Sequence, residues 1–371
     1  MVNSRFFCDI YRGKRVLVTG HTGFKGSWLT SWLLELGAEV YGISKDIPTS
    51  PSMFLELGLE KRIIHYQTDV RDLQALCEIV CCIKPEFVFH LAAQPIVSRS
   101  YAEPIDTISS NVMGTAHMLE ALRRYNQPCT AVIITSDKCY DNVEWVWGYK
   151  ETDAVGGKDI YSGSKGAAEL VFKSYYHSFF KQADCPVKLV TARAGNVIGG
   201  GDWAIDRIVP DCMRSWSESK TVEIRSPKAT RPWQHVLEPL SGYLQLGAEV
   251  CQRPELTGES FNFGPQAEYS HTVQELLEDL SRTWHFDNPK QAYRITGDIK
   301  FHEAGLLKLN CDKALFYFRW MPTLDYPDVI DFTGNWYYAY YKEHADMYAY
   351  TMRQIAAYQQ KAIEKGLKWT Q

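Results

Sequence analysis

Short, almost uninterrupted apolar runs alternate with helical patterns through the first half of this chain, and that rhythm constrains the fold more than any other feature. Residues 15–19, 39–43, 63–68, 87–90, 131–135 and 187–191 read as strands. Residues 24–36, 73–83, 107–125 and 161–180 read as helices. Strands apolar on both faces belong to a parallel sheet buried between helical layers. The expected fold class is therefore α/β, with a doubly wound parallel sheet. Beyond Arg193 the rhythm weakens, and Pro210, Pro227, Pro232, Pro239, Pro254 and Pro265 punctuate shorter elements. A smaller mixed α/β lobe is expected from near Asn196. The division is 1–195 for the first lobe, with a returning segment near 234–263, and 196–233 with 264–371 for the second. No repeat, low-complexity tract or long linker interrupts the chain.

Composition narrows the function. A net charge of -4 over 371 residues gives no nucleic-acid footprint, so any anionic ligand must be met by local basic groups. None of the ten cysteines forms a C-x-x-C pair, and several lie in apolar runs, so buried free thiols are expected. No apolar run suits a signal peptide or a membrane span, which makes the cytoplasm the expected compartment. The aromatic tract Asn335-Trp336-Tyr337-Tyr338-Ala339-Tyr340-Tyr341 reads as packing or a subunit interface.

Two motifs carry the chemistry. Gly20-x-x-Gly23-x-x-Gly26 lies between a strand and a helix, with Thr22, Phe24 and Lys25 filling the turn. Glycine lets the backbone approach a pyrophosphate, and the following helix N-terminus offers N–H donors. At the end of the second strand, where a carboxylate would hold the ribose of NAD, stands Ser44, followed by Lys45 and Asp46. NAD is the expected cofactor, with NADP left open by that departure. Asp69-Val70 follows the third strand, where a carboxylate can meet adenine. Tyr161 and Lys165, four residues apart at a helix start, share a face. A nearby ammonium favours the phenolate, so Tyr161 can take a proton from a hydroxyl as hydride leaves its carbon.

Other candidates cluster at strand ends. Ser136, Asp137 and Lys138 follow the fifth strand, where open α/β sheets place ligands. Ser136 can bond a sugar hydroxyl, and Asp137 beside Lys138 pairs an acid with a base. Arg193, Asn196 and the triple glycine 199–201 close the last strand of the first lobe. The triple glycine either admits a ligand or is a flexible turn. Arg231 sits in a stiff loop, and its fork suits a pyrophosphate. No His/Cys/Asp cluster has metal-ligand spacing, so no metal is expected.

Together Gly20/Gly23/Gly26, His90-Leu91-Ala92-Ala93-Gln94, Asn111, Tyr161/Lys165 and Arg193/Asn196 resemble the extended short-chain dehydrogenase/reductase family of nucleotide-sugar epimerases and dehydratases, over roughly the whole chain. The resemblance implies a Rossmann-type, NAD-binding first lobe and a nucleotide-sugar-binding second lobe. It implies cofactor contacts from Leu91, Ala92 and Ala93. It implies substrate contacts from Gln94, Asn111, Arg193, Asn196, Arg207 and Arg231. Homodimers or tetramers built on the helices 107–125 and 161–180 are also implied. His21-Thr22-Gly23-Phe24-Lys25-Gly26-Ser27-Trp28, Ser136-Asp137-Lys138-Cys139-Tyr140 and the string from Arg231 to Pro239 resemble the branch that dehydrates CDP-glucose. That branch serves 3,6-dideoxyhexoses of lipopolysaccharide O-antigen.

The implied reaction is an internal redox cycle ending in a 4-keto-6-deoxy sugar. Tyr161 removes the 4-hydroxyl proton, Lys165 lowers its pKa, and Asp137 protonates the departing 6-hydroxyl. Related 4,6-dehydratases carry Glu as base where Lys138 stands. A lysine at its ordinary value of about 10.4 is charged, so Lys138 needs burial or a cationic neighbour to act as base, and otherwise only stabilises the enolate, with a water or Tyr161 itself as the alternative bases. A 4-epimerase needs no such acid–base pair, so Asp137-Lys138 argues for dehydration. GDP-mannose, dTDP-glucose and UDP-sugars are the alternative substrates. A non-catalytic dinucleotide sensor could discard Tyr161 and Lys165, yet both are present.

Overall fold

The computed structural model describes residues 6–224, 226–265, 271–296 and 306–371. Seven strands form the central sheet: β1 (Arg15–Thr19), β2 (Glu39–Ser44), β3 (Ile64–Gln67), β4 (Phe87–His90), β5 (Cys129–Ile134), β6 (Val187–Ala194) and β7 (Ser260–Phe263). Their order is β3-β2-β1-β4-β5-β6-β7, and every neighbouring pair is parallel. This is the doubly wound arrangement that the apolar runs predict. Alternate residues serve alternate faces. Val16, Val18, Phe87, Phe89, Val132 and Phe263 join one core, whereas Leu17, Val88, Ala131, Ile133 and Leu189 join the other.

Helices α1 (Phe24–Glu35), α2 (Leu73–Ile83), α3 (Gly114–Tyr125) and α4 (Ile160–Tyr175) follow strands β1, β3, β4 and β5. The helix expected over 107–125 is continuous, but it starts earlier and carries a π-helical turn. It begins at Pro104–Ile108, passes through the π-helical turn Ser109–Met113 and continues as α3. The helix expected to reach residue 180 also ends in a π-helical turn, Tyr176–Phe180. β6 runs three residues past the expected end because Thr191, Ala192, Arg193 and Ala194 pair with β7.

The segment 234–263 supplies β7 and α5 (Leu237–Gln252), which is buried along nearly its whole length. Around it lie short paired strands, Val222–Ile224 with Tyr293–Ile295 and Thr230–Arg231 with His271–Thr272. The helices Ile208–Ser217, Val273–Thr283 and Tyr326–Tyr338 accompany them. The last α-helix, α6 (Met347–Glu364), packs between the helix Tyr326–Tyr338, where Gln354 Nε2 donates to Phe332 O at 2.8 Å and Trp336 Nε1 to Thr351 Oγ1 at 3.0 Å, and α1, which it covers. Trp32 meets Tyr358 edge-on at 5.5 Å, Gln359 Nε2 donates to Glu35 at 2.9 Å, and Trp369 stacks on Phe7 at 5.0 Å.

In the aromatic tract, Trp336 and Tyr337 are buried. All ten cysteines are free; Cys129, Cys139 and Cys212 are buried, but Cys8, Cys81 and Cys82 are exposed. Among the described residues no helix is long and apolar enough to cross a membrane.

Candidate active site

Strand order reverses at β1, and the crevice beyond the ends of β1 and β4 holds the glycine turn. Gly20 has φ +74°, and a Cβ there would lie 2.8 Å from Ala92 N. A Cβ on Gly26 would lie 2.1 Å from Gly20 O, so the first turn of α1 presses directly on the loop. Gly23 caps α1 with no side-chain hydrogen bond, and no acidic residue lies in the first turn. The leading N–H groups of α1, from Phe24, Lys25 and Gly26, are thus left for an anion. This cradle fits a dinucleotide pyrophosphate. Leu91, Ala92 and Ala93 line its other side half-buried, with Leu91 N donating to Thr19 O (3.1 Å) and Ala92 N to Thr19 Oγ1 (3.2 Å).

Two residues expected at the adenosine end are engaged otherwise. Ser44 is buried, and its Oγ lies 3.1 Å from His21 Nδ1 and accepts from Thr22 N at 3.5 Å. The His21 ring reaches Ser44 because Gly42 leaves room, a Cβ there falling 2.5 Å from the ring. Burial, aided by His65, pushes the His21 pKa down to about 4, so the ring is neutral. Thr22 Oγ1 donates to Asp46 O at 2.8 Å, while the Asp46 carboxylate is exposed beside Lys45. Asp69 is held by Arg71 at 2.6 Å, and this hydrogen bond holds its carboxyl below the usual range. Val70 is buried, its carbonyl 3.2 Å from His117 Nδ1.

Asp159 caps α4 by accepting from Ser162 N (2.9 Å), which places Tyr161 and Lys165 one turn apart on a buried face. Burial pushes Lys165 down to about 8, against the opposing effect of Cys139 and Glu169. Burial and then Asp137 raise Tyr161 to about 12, while Arg207 and a hydrogen bond with Ser136 lower it. Ser136 Oγ donates to Asp137 Oδ1 at 2.8 Å and accepts from Lys138 N at 3.2 Å. Asp137 Oδ2 is buried without a partner, and a Cβ on Gly195 would sit 3.3 Å from it. Lys138 is half-buried and makes no ion pair among the described residues. The Lys25 side chain shares this space; burial, with Arg207 and Lys165, lowers it to about 8. Arg207 Nη1 is anchored on Asp202 at 2.7 Å. The side-chain nitrogen of half-buried Asn196 has no partner, and Arg231 Nη1 donates to Thr230 O at 2.9 Å. The structure thus gathers Lys25, Ser136, Asp137, Tyr161, Lys165 and Arg207 from four segments around one cleft.

Three residues expected at the substrate are corrected. Arg193 has no exposed surface and forks onto Glu169, with Nη2–Oε2 at 2.8 Å. Gln94 spends its amide on Ile96 and Thr107. Asn111 clamps the Gln94 backbone (2.8 Å to its N–H) and donates to Ser164 Oγ on α4 at 2.9 Å. All three brace the site from behind. The triple glycine is neither an opening nor a loose turn at Gly200, where a Cβ would fall 2.0 Å from the Trp336 ring. Trp28 Nε1 also bonds Gly200 O at 2.9 Å. Glu169 went unread in the sequence, although it stands one turn beyond Lys165 on the same face, and Thr135 and Asp202 were given no role there. Glu238, within the string from Arg231 to Pro239, is buried away from this cleft. Its carboxylate accepts from Thr323 N (2.9 Å), Leu324 N (2.6 Å) and the Tyr358 hydroxyl (2.9 Å).

A buried phenol and ammonium one helical turn apart, facing a dinucleotide cradle at the switch point of a parallel sheet, define the extended short-chain dehydrogenase/reductase class. Residues 17–330 match the family described as GDP-mannose 4,6 dehydratase, and the chain belongs to it. The CDP-glucose 4,6-dehydratase of Salmonella typhimurium is 45% identical over 94% of this chain and 97% of its own. The fold matches that of the dTDP-glucose 4,6-dehydratase DesIV from Streptomyces venezuelae, solved with NAD and TYD bound, at a TM-score of 0.74 and 20% identity, covering 89% of this chain and all of that one. It also matches the UDP-glucose 4-epimerase of Thermotoga maritima, at a TM-score of 0.73 and 21% identity, covering 86% of this chain and 97% of that one.

Proposed function

We propose that the protein converts CDP-glucose to CDP-4-keto-6-deoxyglucose and water, using NAD that stays bound through the cycle. The observation that carries the reaction type is the buried, unpartnered Asp137 oxygen beside Tyr161. An acid is needed there to expel a hydroxyl, and simple alcohol oxidation has no use for one. The choice of CDP-glucose rests on the likeness to the Salmonella enzyme.

The leading N–H groups of α1 would hold the NAD pyrophosphate, and the bound cofactor would supply the hydride sink for C4 and the hydride source for C6. Tyr161 takes the proton of the sugar 4-hydroxyl. Its phenol sits at about 12 in the protein alone, so it must first ionise, its own proton passing to solvent while the positive charge of Lys165 and Arg207 stabilises the phenolate that then acts as base. The resulting 4-ketone acidifies the C5 proton. Lys138, which makes no ion pair among the described residues, takes that proton, or it stabilises the enolate while a water molecule takes the proton. Asp137 Oδ2 then protonates the 6-hydroxyl, which departs as water. Gly195 keeps the space before that oxygen open.

Exposed Tyr101, Ile105, Ile108 and Met113, with Leu170 on α4, give the helices beside the site an apolar outer face. That face supports assembly as a homodimer or homotetramer through helix pairing. The setting proposed is a cytoplasmic route to dideoxyhexoses of O-antigen.

The test is incubation with CDP-glucose and catalytic NAD in deuterated water. A 4-keto-6-deoxy product carrying deuterium at C5, with no net reduced cofactor, is the expected result. Turnover of another nucleotide sugar alone overturns the CDP assignment. Cofactor binding without any turnover overturns the enzymatic reading.

A further inference from the structure

Glu169 and Arg193 form an ion pair with no exposed surface on either side chain. Glu169 Oε1 accepts from Thr135 Oγ1 at 2.5 Å and Arg193 Nε at 3.0 Å. Its Oε2 accepts from Arg193 Nη2 (2.8 Å), Thr191 Oγ1 (3.1 Å) and Ser260 Oγ (3.3 Å). Arg193 Nη1 donates onward to the Tyr140 hydroxyl (2.8 Å) and Glu151 O (3.3 Å), and the guanidinium lies 4.9 Å from the centre of the Tyr140 ring. One pair therefore ties together the end of β5, the turn 137–140, α4, β6 and β7. The placement is specific to the chemistry. Thr135 adjoins Ser136, Tyr140 ends the turn carrying Asp137 and Lys138, and Tyr161, Lys165 and Glu169 recur every four residues on one helical face. Apolar residues of similar volume could fill such a space without loss of stability, because desolvating two charges offsets their attraction. The cluster is therefore poorly explained by stability alone.

We propose that the Glu169–Arg193 pair is a positioning device for the proton-transfer site. It holds the Tyr161/Lys165 helix in register with the Ser136–Asp137 turn, and its carboxylate is the counter-charge that keeps Lys165 protonated. The groups facing Lys165 are Lys25 from α1, His90 from the end of β4, Cys139 from the turn and Glu169 on its own helix. Of these only Glu169 is a carboxylate. Burial already brings Lys165 down to about 8, so loss of that carboxylate takes it into the working range. This inference rests on the proposed dehydratase reaction for its turnover readout only.

The test combines Glu169→Gln with the charge-balanced Glu169→Gln/Arg193→Met, which leaves no unpaired buried charge should the single variant fail to fold. Lys165 is titrated by NMR with 13C-labelled lysine, its resonance assigned through Lys165→Arg. In Glu169→Gln its midpoint is expected to fall by about one unit or more, the order set by a charge one helical turn away at an effective dielectric of about 20, and in the double variant, which also loses the more distant Arg193 charge, it falls in the same direction by less. With CDP-glucose, kcat is expected to drop about tenfold or more with KM little changed, and the alkaline limb of the pH profile to move down with the Lys165 midpoint. Activity lost with both the titration and the limb unmoved makes the pair a mere scaffold and overturns the proposal. Wild-type protein inert on CDP-glucose overturns the functional reading, while the substrate-free titration still decides this one.

Discussion

Glu238 offers a stability prediction whose sign is unusual for a carboxylate. The side chain is 2% exposed, and burial raises its pKa from the ordinary 4.5 to about 7, although Leu324, Thr323 and Tyr358 donate to it. The unfolded chain ionises near the ordinary value, so the folded protein binds the extra proton. The contribution is fully present below about 4.5, is lost progressively as pH rises to about 7, and stays lost above. At about 1.4 kcal/mol per pKa unit, the loss is about 3 kcal/mol. Glu238→Gln removes the titration and keeps the shape. Its carbonyl oxygen can still accept from Leu324 N. Its new amide N–H can donate to the Tyr358 hydroxyl, which can donate in turn to Ser241 Oγ at 3.0 Å. The variant should therefore match wild type near pH 4.5 and exceed it by up to about 3 kcal/mol near pH 8. Urea unfolding of both proteins across that range, followed by tryptophan fluorescence, measures the difference. A pH-independent difference, or a variant less stable at pH 8, would falsify the assignment of a proton to Glu238.

The remaining expectations concern turnover. Asp137→Asn should slow loss of water by about 10²–10⁴ while C4 oxidation persists, so reduced cofactor accumulates in a single turnover. Wild-type behaviour there removes Asp137 as the acid. Lys138→Met should slow exchange of the substrate C5 proton with deuterated solvent by a similar factor, and exchange at the wild-type rate assigns the base elsewhere. Gly26→Ala forces its Cβ onto Gly20 O and should weaken NAD binding about tenfold or more, a change of about 1.4 kcal/mol, by calorimetric titration. Unchanged affinity there would mean that the glycine turn does not hold the cofactor.

Much of the sheet is legible in the sequence because parallel strands buried on both faces must be apolar throughout. The same logic ends β6 too early. Arg193 reads as the close of a strand, and only the carboxylate of Glu169 lets a guanidinium sit inside the sheet. Periodicity also runs straight through Ser109–Met113, since a π-helical turn keeps the apolar pattern while adding a residue. At the site, the residues that face the cleft share a local signature: Tyr161 and Lys165 on one helical face, and Ser136-Asp137 at a strand end. Those misplaced have partners distant in sequence. Ser44 turns to His21 because Gly42 makes room, and Asn111 is consumed by the Gln94 backbone. Glu169 could have been found as the next residue in the four-residue recurrence that begins with Tyr161 and Lys165.

The covering of α1 by α6 bears on how the molecule is made. The glycine turn leads straight into α1, yet the contact between Glu35 and Gln359 joins residues 324 apart in sequence. During synthesis the outer face of α1, with Trp32, therefore remains wet until nearly all the described chain has emerged. Closing so long a loop is a slow, late event. The cofactor cradle is then among the last regions to gain its full support, and a nascent chain that already contains every catalytic side chain is still an incomplete enzyme.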